Sequence, residues 1–476
     1  IYIITCPLLR EHQNTLYMGR YMNKNIFREY DIRGIADTDL TNDTVYLIGK
    51  AFGSYLYKNN HKSLSISGDV RKTTARIKKS FIEGALSQGI NVCDIGTLPT
   101  PVNYFSLYNT DIVNSVQITG SHNPSDYNGL KISFNKKPFY GRNIRNLLKI
   151  IEKKDFISNI NPGELSKADI LNDYKTFMYE NISIDKKLKV VMDCGNAVGG
   201  IIAPEIYKNF NIELKELFCD VNPDFPNHHP DPTVDSNLKD IINVMKTGTY
   251  DVGIAFDGDA DRIVAVANNG EIIRADILLA FFLKFVVKKG DSVVYDVKCS
   301  KSLEDVINEI EAEPIMWKTG HSLIKDKMIN SKSKIGGEMS GHLFFSDKYF
   351  GFDDGIYVGL RLLEILSNTN YCLSDIISSI PNYCSTPEIR IDCKDDDEKI
   401  LVSLKMINYF KNKYDCCEID GVRINYSNGW ALIRSSNTQP VIVFRFEADN
   451  ETNLKKIKNE VLDKAKEYNL KIGSIE

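Results

Sequence analysis

Residues 63–119 read SLSISGDVRKTTARIKKSFIEGALSQGINVCDIGTLPTPVNYFSLYNTDIVNSVQIT, and this stretch decides the class of fold. Short apolar segments (SLSIS, NVCDIG, SVQIT) alternate with segments of helical character (TTARIKKSFIEGALSQG, PVNYFSLY). Such strand and helix alternation is typical of α/β domains built on a largely parallel sheet. The sequence therefore predicts an α/β fold here.

The same alternation recurs along the chain and then changes near the C-terminus. A second series begins at KLKVVMD and a third near Asn269, whereas the last ninety-odd residues place VRINYSN, WALIRSS and VIVFRFEA in succession with no helix between them. Successive strands of this kind indicate an antiparallel sheet in an α+β domain. We therefore predict α/β domains at residues 22–163, 164–268 and 269–383, an α+β domain at 384–476, and a disordered or mis-assigned extension at 1–21.

The composition excludes several classes of protein. The chain has 476 residues, 43% of them hydrophobic and 26% charged, with a net charge of −4 and no basic block that would bind a nucleic acid backbone. Its longest apolar run, residues 275–287, is interrupted by Lys284 and is too short to cross a membrane. The ten cysteines lack C-x-x-C spacing, which favours a reducing cytoplasm. We expect neither a nucleic acid nor a membrane partner.

A first candidate site lies at TGSHNP, residues 119–124, directly after the apolar strand SVQIT. Ser121 would therefore lie on a loop at a strand end, where α/β sheets bind their ligands. Taken alone, the segment favours an ordinary turn rich in Ser, Asn and Pro. A Ser-His-Asp hydrolase is not supported, because no G-x-S-x-G motif is present.

A second candidate site is DGDADR, residues 257–262, after the apolar strand DVGIAF. Three carboxylates at alternate positions can present oxygens to one hard cation such as Mg²⁺. An EF-hand is excluded because Arg262 stands where Gly is required. The same segment also fits the Asp-x-Asp start of haloacid-dehalogenase-type phosphatases, with Asp257 as nucleophile and residues 353–354 as their later acidic pair.

Two further loops could bind a phosphorylated sugar. GEMSGH, residues 337–342, offers the carboxylate of Glu338 and the hydroxyl of Ser340, which suit sugar hydroxyls. RSSNTQP, residues 434–440, combines Arg434 with hydroxyl and amide groups between two apolar strands, as a phosphate-binding loop would. Two other segments are interpreted as structural: residues 194–199 lack G-x-G-x-x-G spacing, and the adjacent histidines of residues 228–229 are not expected to bind a metal.

The four motifs TGSHNP, DGDADR, GEMSGH and RSSNTQP, in this order, resemble those of the α-D-phosphohexomutase superfamily. Their residues are similar to those of its phosphomannomutase/phosphoglucomutase branch. The resemblance runs from FREYDIRG, residues 27–34, to FRFEA, residues 444–448, and includes FPNHHPDP, DVKCS and WKTGHSLIK. GEMSGH is typical of hexose-phosphate mutases, whereas phosphoglucosamine mutases carry a GEQSGH-like loop. The sequence departs from the pattern at Ala260 and Ser435, where Gly and Ala are common.

The resemblance implies an α/β protein of four domains around a central cleft, three mixed α/β domains of similar topology followed by the α+β domain. It also implies a reaction, in which phosphoserine converts mannose or glucose 1-phosphate to the 6-phosphate through a hexose 1,6-bisphosphate that also serves as activator. Mg²⁺ would be the cofactor and hexose phosphates the ligands. A cytoplasmic monomer is expected, with a dimer as the alternative.

The resemblance further assigns roles to particular residues. The metal site would comprise Ser121, Asp257, Asp259 and Asp261. The catalytic residues would be Ser121, Lys131, Arg262, His342 and Arg33, with Lys131 or His342 as general acid and base. The residues that bind the sugar and its other phosphate would be Tyr30, Lys298, His321, Glu338, Ser340, Arg434, Ser436, Asn437 and Thr438.

Two other functions compete with a mutase. The enzymatic alternative is a Mg²⁺-dependent aspartyl-phosphate sugar phosphatase, which would release inorganic phosphate. The other is a catalytically silent regulator that binds sugar phosphates, but a silent protein has no chemical need for Ser121, three aspartates and Lys131 together. The preference between mannose and glucose depends on the geometry of one hydroxyl and is left open.

Overall fold

The structure is a computed structural model that describes residues 22–436 and 440–472. These residues form two compact units. The first contains residues 22–263 together with 354–368, and the second contains residues 264–353 together with the described residues from 369 onward. The predicted extension at 1–21 lies outside the described residues.

The first unit begins with a sheet that is parallel at its centre. Its strands are β1 (Ile32–Ile35), β2 (Ser63–Gly68), β3 (Asn91–Thr97), β4 (Ser115–Ile118), β5 (Tyr127–Phe134), β6 (Lys137–Pro138) and β7 (Leu165–Lys167). The order is β1-β5-β4-β2-β3-β7, with β6 paired to β5. Strands β4, β2, β3 and β7 run parallel, whereas β5 is antiparallel to its neighbours.

Helices surround this sheet and bury its central strands. They are α1 (Asn42–Lys58), α2 (Thr74–Leu86), α3 (Thr100–Asn109), α4 (Arg142–Lys153) and α5 (Leu171–Asn181). Residues 64–68 of β2 are all buried, as expected where helices cover both faces of a parallel sheet. Thr41 caps the N-terminus of helix α1, because its hydroxyl accepts a hydrogen bond from the Thr44 amide at 3.2 Å. The strand and helix alternation predicted for residues 63–119 is confirmed.

The first unit continues with three further parallel strands. These are β8 (Leu188–Asp193), β9 (Ile212–Leu217) and β10 (Val252–Phe256), with β8 between the other two. Two short helices accompany them, α6 (Ala203–Lys208) and α7 (Lys239–Met245). All five residues of β10 are buried, and the strand ends directly at Asp257. The acidic motif therefore lies at the carboxyl end of a fully buried strand.

The second unit opens on a mixed sheet. After the antiparallel pair β11 (Ile263–Ala267) and β12 (Ile272–Ile273), its strands are β13 (Ser292–Asp296), β14 (Glu313–Trp317), β15 (Ile335–Gly337) and β16 (Leu343–Phe345). The order is β14-β13-β15-β16, and only the β15–β16 pair of these four strands is antiparallel. The helices are α8 (Ala275–Val286), α9 (Lys301–Glu309) and α10 (His321–Ser331).

One helix belongs to the first unit although the chain before and after it belongs to the second. Helix α11 (Gly355–Ser367) follows β16 in the chain but belongs to the first unit. The Tyr207 hydroxyl donates to the carbonyl of Ile356 at 3.0 Å, and Asp354 caps the helix by accepting from the Tyr357 amide at 2.9 Å. The position of this helix depends on contacts with residues far away in the chain, such as Tyr207, and the sequence alone does not indicate these contacts.

The second unit ends in an antiparallel sheet covered by helices. Its strands are β17 (Cys384–Ser385), β18 (Ile389–Asp392), β19 (Asp415–Cys417), β20 (Val422–Tyr426), β21 (Gly429–Ser435) and β22 (Val441–Ala448). Their order is β17-β22-β21-β20-β19, with β18 also paired to β22. Helix α12 (Leu373–Ser378) precedes the sheet, and α13 (Asp396–Lys411) and α14 (Glu451–Glu467) pack on it. The predicted α+β character is confirmed.

A membrane-spanning segment is not found in the part of the chain that the structure describes. Among residues 22–436 and 440–472, no helix combines the length and apolar character that crossing a bilayer requires.

Candidate active site

Ser121 lies on the loop that joins β4 to β5 and is almost completely buried, with 1% of its surface exposed. Its Oγ donates a hydrogen bond to Asp257 Oδ2 at 2.9 Å and lies 3.1 Å from His122 Nδ1. Its φ of +48° is in the left-handed region, which a residue with a side chain adopts only at a cost of about 1 kcal/mol or more. The surrounding structure must therefore hold this loop.

The three aspartates of DGDADR form one buried acidic group at the end of β10. Asp257, Asp259 and Asp261 are each 0% exposed, and one oxygen from each lies within 4.8 Å of the others. Gly258 is required here, because a Cβ at that position would lie 2.2 Å from the Ser121 carbonyl oxygen. The sequence brought Ser121 and the aspartates together only through the resemblance, whereas the structure shows their contact.

Lys131 provides the nearest positive charge to this acidic group. From its position on β5 it places Nζ 2.6 Å from Asp259 Oδ2 and 2.5 Å from Asp261 Oδ2, with only 4% of the residue exposed. Thr100, the first residue of α3, also donates to Asp259. One ammonium thus compensates two of the three carboxylates, and the group keeps an excess of negative charge.

The acidic group has the properties of a cation site. Burial, and then the charges of Asp259 and Asp261, raise the pKa of Asp257 well above its usual range. Asp259 Oδ1 is buried and has no hydrogen-bond partner among the described residues. Carboxylate oxygens are the ligands that hard divalent cations prefer, so these residues fit a metal ion.

Two arginines predicted for the site lie beside these groups. Arg262 donates its backbone amide to Asp257 Oδ1 at 3.2 Å, and its Nε lies 3.9 Å from Asp257 Oδ2. Burial alone lowers the pKa of Arg262, but Asp257 and Asp261 outweigh it and raise the pKa. Arg33 on β1 donates to Asn123 Oδ1 at 3.1 Å and forms an ion pair with Asp31. Both arginines therefore lie close to the Ser121 loop and its acidic partner.

The adjacent histidines of FPNHHPDP support this loop, in line with the structural role that the sequence indicates for residues 228–229. His229 Nε2 contacts the carbonyl oxygen of His122 at 2.5 Å, and His228 Nε2 lies 3.1 Å from Asp193 Oδ2. Both contacts link the loop after β9 to other loops of the first unit. The partners of the two histidines, Asp193 and the His122 carbonyl, are visible only in the tertiary structure.

The His228–Asp193 pair predicts a pH-dependent contribution to stability. Burial lowers the pKa of His228, but the Asp193 carboxylate outweighs it and raises the pKa above its ordinary value of 6.5. A raised pKa means that the stabilisation is complete below pH 6.5 and is lost as the pH rises through the folded value. The melting temperature of the wild type should therefore exceed that of His228→Gln by more at about pH 6 than at about pH 8.5. An equal difference at both values would contradict the prediction.

In the second unit, Asp353 gathers three basic side chains. This fully buried carboxylate lies 2.7 Å from Lys325 Nζ, 2.9 Å from His342 Nδ1 and 3.4 Å from His321 Nδ1, and the two imidazole rings stack at 5.2 Å. Burial and then Lys325 lower the pKa of His321 well below its usual range, although Asp353 opposes this. Asp353 and Lys325 were not predicted as residues of a mutase site, although Lys325 ends the WKTGHSLIK segment and Asp353 belongs to the acidic pair of the phosphatase alternative.

The GEMSGH loop follows β15, and its carboxylate is buried. Glu338 accepts a hydrogen bond from the amide of Gly320, and the Ser340 hydroxyl lies 3.4 Å from Glu338 Oε2. Burial raises the pKa of Glu338, although the nearby His342 opposes this. Asp296 at the end of β13 holds the loop by accepting from the Met339 amide at 3.3 Å.

Lys298 and Arg434 lie in acidic surroundings of the second unit. Lys298 Nζ is 2.8 Å from Glu388 Oε1, and this ammonium lowers the pKa of Glu388 to about 2. Arg434 on β21 donates through Nε to Asp420 Oδ2 at 3.1 Å. The Ser436 amide donates to the Val441 carbonyl at 2.8 Å, which keeps the start of the RSSNTQP loop in register.

Asn437 and Thr438 lie outside the described residues. Tyr30 is half-buried just before β1, in the first unit rather than with Lys298 and Arg434. The remaining predicted residues fall into two groups, one in each unit: Arg33, Ser121, Lys131, Asp257, Asp259, Asp261 and Arg262 in the first, and Lys298, His321, Glu338, Ser340, His342, Arg434 and Ser436 in the second.

The two departures from the family pattern are explained by local geometry. Ala260 has φ +59°, a left-handed conformation that glycine adopts without strain and alanine at a small cost. The Ser435 hydroxyl lies 2.8 Å from the Ser403 hydroxyl on α13, so it contacts a helix of the same domain. Neither departure removes a charged or polar group from the two groups described above.

Models of one family match the chain in four consecutive segments. The domains described as phosphoglucomutase/phosphomannomutase alpha/beta/alpha domains I, II and III match residues 24–158, 172–270 and 274–383, and the C-terminal domain matches residues 388–464. Together these segments cover most of the chain. The chain belongs to the phosphoglucomutase/phosphomannomutase family.

Named relatives of this family cover nearly the whole chain. The phosphomannomutase/phosphoglucomutase of Pseudomonas aeruginosa is 42% identical over 436 residues, which are 91% of this chain and 94% of the relative. The phosphoglucomutase of Neisseria meningitidis serogroup A is 39% identical over 441 residues, 92% and 96% of the two chains. A Burkholderia thailandensis phosphoglucomutase/phosphomannomutase family structure superposes with a TM-score of 0.87 at 36% identity, covering 94% and 98%. The family predicted from the four motifs is confirmed.

Proposed function

We propose that this member of the phosphoglucomutase/phosphomannomutase family interconverts hexose 1-phosphate and hexose 6-phosphate, with Ser121 as the phosphoryl carrier. The observation that carries the proposal is the contact between Ser121 Oγ and Asp257 within a buried group of three carboxylates that Lys131 compensates only in part. A hydroxyl held at an anionic, cation-ready site is suited to accept and donate a phosphoryl group.

In this proposal the side chains of the first unit handle the reacting phosphate. Lys131 and Arg262 neutralise charge as it develops on the transferred phosphoryl group, and Arg33 lies beside the Ser121 loop at Asn123. Like charges about 4 Å apart repel by about 4 kcal/mol per pair at an effective dielectric of 20, so such neutralisation is needed whenever a phosphate approaches a phosphoserine.

Mg²⁺ is the cofactor that the acidic group supports best. Asp257, Asp259 and Asp261 would hold it, together with an oxygen of the phosphorylated Ser121. When bound, such a cation polarises phosphoryl oxygens and offsets their charge. The raised pKa of Asp257 and the unpartnered Oδ1 of Asp259 support this assignment, since a divalent cation would stabilise both carboxylates in their charged form.

The side chains of the second unit would bind the rest of the ligand. Glu338 and Ser340 would accept and donate hydrogen bonds to sugar hydroxyls, while Arg434, Ser436, Lys298 and His321 would bind the phosphate that does not react. Tyr30, Asn437 and Thr438 are assigned to the same task by the family pattern. His342, held beside Asp353, and Lys131 are the two candidates for the proton transfer to and from the sugar hydroxyl.

Other assignments complete the proposal. A hexose 1,6-bisphosphate would be the intermediate and would also phosphorylate Ser121 as activator, because the reaction needs a phosphoenzyme. The protein would work in the cytoplasm on small hexose phosphates, as a monomer, in carbohydrate and nucleotide-sugar metabolism. The domain limits proposed for it are residues 22–163, 164–268, 269–383 and 384–476.

The geometry at residues 353–354 disfavours the phosphatase alternative. Asp353 contacts Lys325 and two histidines, and Asp354 caps α11 and accepts from the Tyr174 hydroxyl at 2.8 Å. Both carboxylate oxygens of Asp354 thus accept hydrogen bonds within the fold, whereas the later acidic pair of a phosphatase would bind the metal ion.

The proposal is tested with purified protein, Mg²⁺ and a trace of glucose 1,6-bisphosphate. Glucose 1-phosphate and mannose 1-phosphate are each supplied, and hexose 6-phosphate and inorganic phosphate are measured together. We expect 6-phosphate without stoichiometric release of phosphate, and the two kcat/KM values give the sugar preference. Phosphate without 6-phosphate would favour the phosphatase, and no conversion of either sugar would favour the silent regulator.

Arg434→Ala is predicted to weaken binding of the non-reacting phosphate. A charge-assisted hydrogen bond contributes about 1.5–3 kcal/mol, so KM for glucose 1-phosphate should rise by about tenfold to a hundredfold. Lys413→Ala is the matched control, because Lys413 pairs with Glu460 at 2.6 Å in the same domain and has no assigned role. An unchanged KM in Arg434→Ala would remove this arginine from the binding site.

A further inference from the structure

Arg71 makes a set of contacts that none of the recognised motifs includes. It follows β2 by three residues, and its guanidinium donates to four backbone carbonyls of the loop that carries Ser121. The N–O distances are 2.6 Å to Ser121, 2.6 Å to Asn123, 2.5 Å to Pro124 and 3.1 Å to Tyr127. One side chain therefore binds nearly the whole length of this loop from a single side.

Asp69 connects the same arginine to the start of the loop. Its Oδ2 lies 3.3 Å from Arg71 Nε and accepts from the Thr119 hydroxyl at 2.8 Å and the Gly120 amide at 3.2 Å. Its Oδ1 accepts from the Arg71 amide at 3.0 Å. Gly120 is required because a Cβ there would lie 2.6 Å from the guanidinium carbon. The segment SGDVR and the segment TGSHNP are thus built to fit one another.

The energetics show why this contact is more than ordinary packing. Arg71 is 4% exposed, and a buried cation is destabilising unless hydrogen bonds and an opposite charge compensate it. The four carbonyls and Asp69 provide that compensation. In return the planar guanidinium fixes a loop whose central residue, Ser121, has a left-handed φ that the chain would otherwise leave.

We propose that Arg71 is the positioning residue of the phosphoryl-transfer loop, holding the Ser121 backbone so that its Oγ stays at the acidic group. The inference rests on the proposed role of Ser121 as phosphoryl carrier. Arg71 touches no reacting atom: it binds the Ser121 carbonyl, while the Ser121 hydroxyl faces Asp257. Loss of the guanidinium contacts with the loop should therefore slow phosphoryl transfer and leave binding of the sugar phosphate nearly intact.

Arg71→Lys is the informative variant. It keeps the charge beside Asp69, but an ammonium cannot present the planar array of donors that the four carbonyls use. Because a displacement of about 1 Å in a reacting group costs about 100-fold in rate, we expect kcat to fall by about that factor while KM for glucose 1-phosphate stays within about threefold. Arg71→Ala should fall further and regain part of its kcat in millimolar guanidinium, which can refill the vacated space.

Arg76→Lys is the matched control. Arg76 also donates to backbone carbonyls, of Leu40 at 2.9 Å and Ala36 at 2.9 Å, but its hydrogen bonds go to residues 36–42 and not to the Ser121 loop itself. Its link to that loop is indirect, through the Ala36 amide, which donates to the Asp126 carbonyl at 2.8 Å. Melting temperatures of all variants establish that they are folded. Hydrogen exchange of the ligand-free proteins, read by mass spectrometry, supplies a measurement that does not depend on activity.

The outcomes separate this inference from the proposed function. Faster exchange at residues 119–128 in Arg71→Lys, with β8 and β10 unchanged and kcat reduced, supports it. Unchanged exchange in that loop overturns it, and so does a loss that appears in KM alone or equally in Arg76→Lys. If the wild type has no mutase activity, the proposed function fails, whereas the exchange comparison still decides whether Arg71 holds the loop.

Discussion

Ser121→Ala is expected to lower kcat for glucose 1-phosphate by on the order of 10³-fold or more, because it removes the only atom proposed to carry the phosphoryl group. The substitution removes one hydroxyl from a buried loop and one donor to Asp257 Oδ2, and it leaves the contacts of Arg71 with the loop backbone in place. The variant should therefore fold. Mass spectrometry of the protein treated with glucose 1,6-bisphosphate should find phosphate on the wild type but not on the variant.

A buried serine outside the site provides the control for Ser121→Ala. Ser106 on α3 is 0% exposed, contacts the Ser65 hydroxyl at 3.1 Å and donates to the Asn103 carbonyl at 2.7 Å. Ser106→Ala should keep a kcat close to that of the wild type. Full activity in Ser121→Ala would transfer the nucleophile's role to Asp257 and would revive the phosphatase alternative.

Lys131→Met is expected to have the second largest effect, on stability as well as on activity. The substitution keeps the length of the side chain but leaves Asp259 and Asp261, both 0% exposed, without their shared ammonium. Removing one partner of a buried ion pair costs about 3–5 kcal/mol, so the free energy of unfolding without metal should fall by about that amount. Denaturant unfolding in EDTA measures this loss.

Mg²⁺ should change the size of that loss, because a bound cation would partner the same carboxylates. We expect the difference between wild type and Lys131→Met to be smaller in millimolar Mg²⁺ than in EDTA. Lys78→Met is the matched control, since Lys78 pairs with the single carboxylate of Asp94 at 2.8 Å in a more exposed position. If Mg²⁺ leaves the difference unchanged, the acidic group is not where the cation binds.

Much of the candidate site could be predicted because its residues occur in short continuous motifs. Ser121, the three aspartates and Glu338 each lie in a loop that follows a strand, and strand ends are where α/β sheets place their ligands. Spacing alone indicated a cation site at DGDADR. The residues that support these motifs were not predictable in this way, because Arg71, His229, Asp353 and Lys325 meet their partners from distant segments.

The sequence by itself determined the strand and helix order, the antiparallel C-terminal sheet, the family and the identity of the chemical groups. These properties follow from local periodicity and from residues that are neighbours in the chain. The tertiary structure alone decided that α11 packs in the first unit, that Lys131 joins two aspartates and that Arg71 holds the Ser121 loop. These contacts join residues that are 50 or more positions apart in the chain, and burial strengthens them. No local pattern of residues records either property.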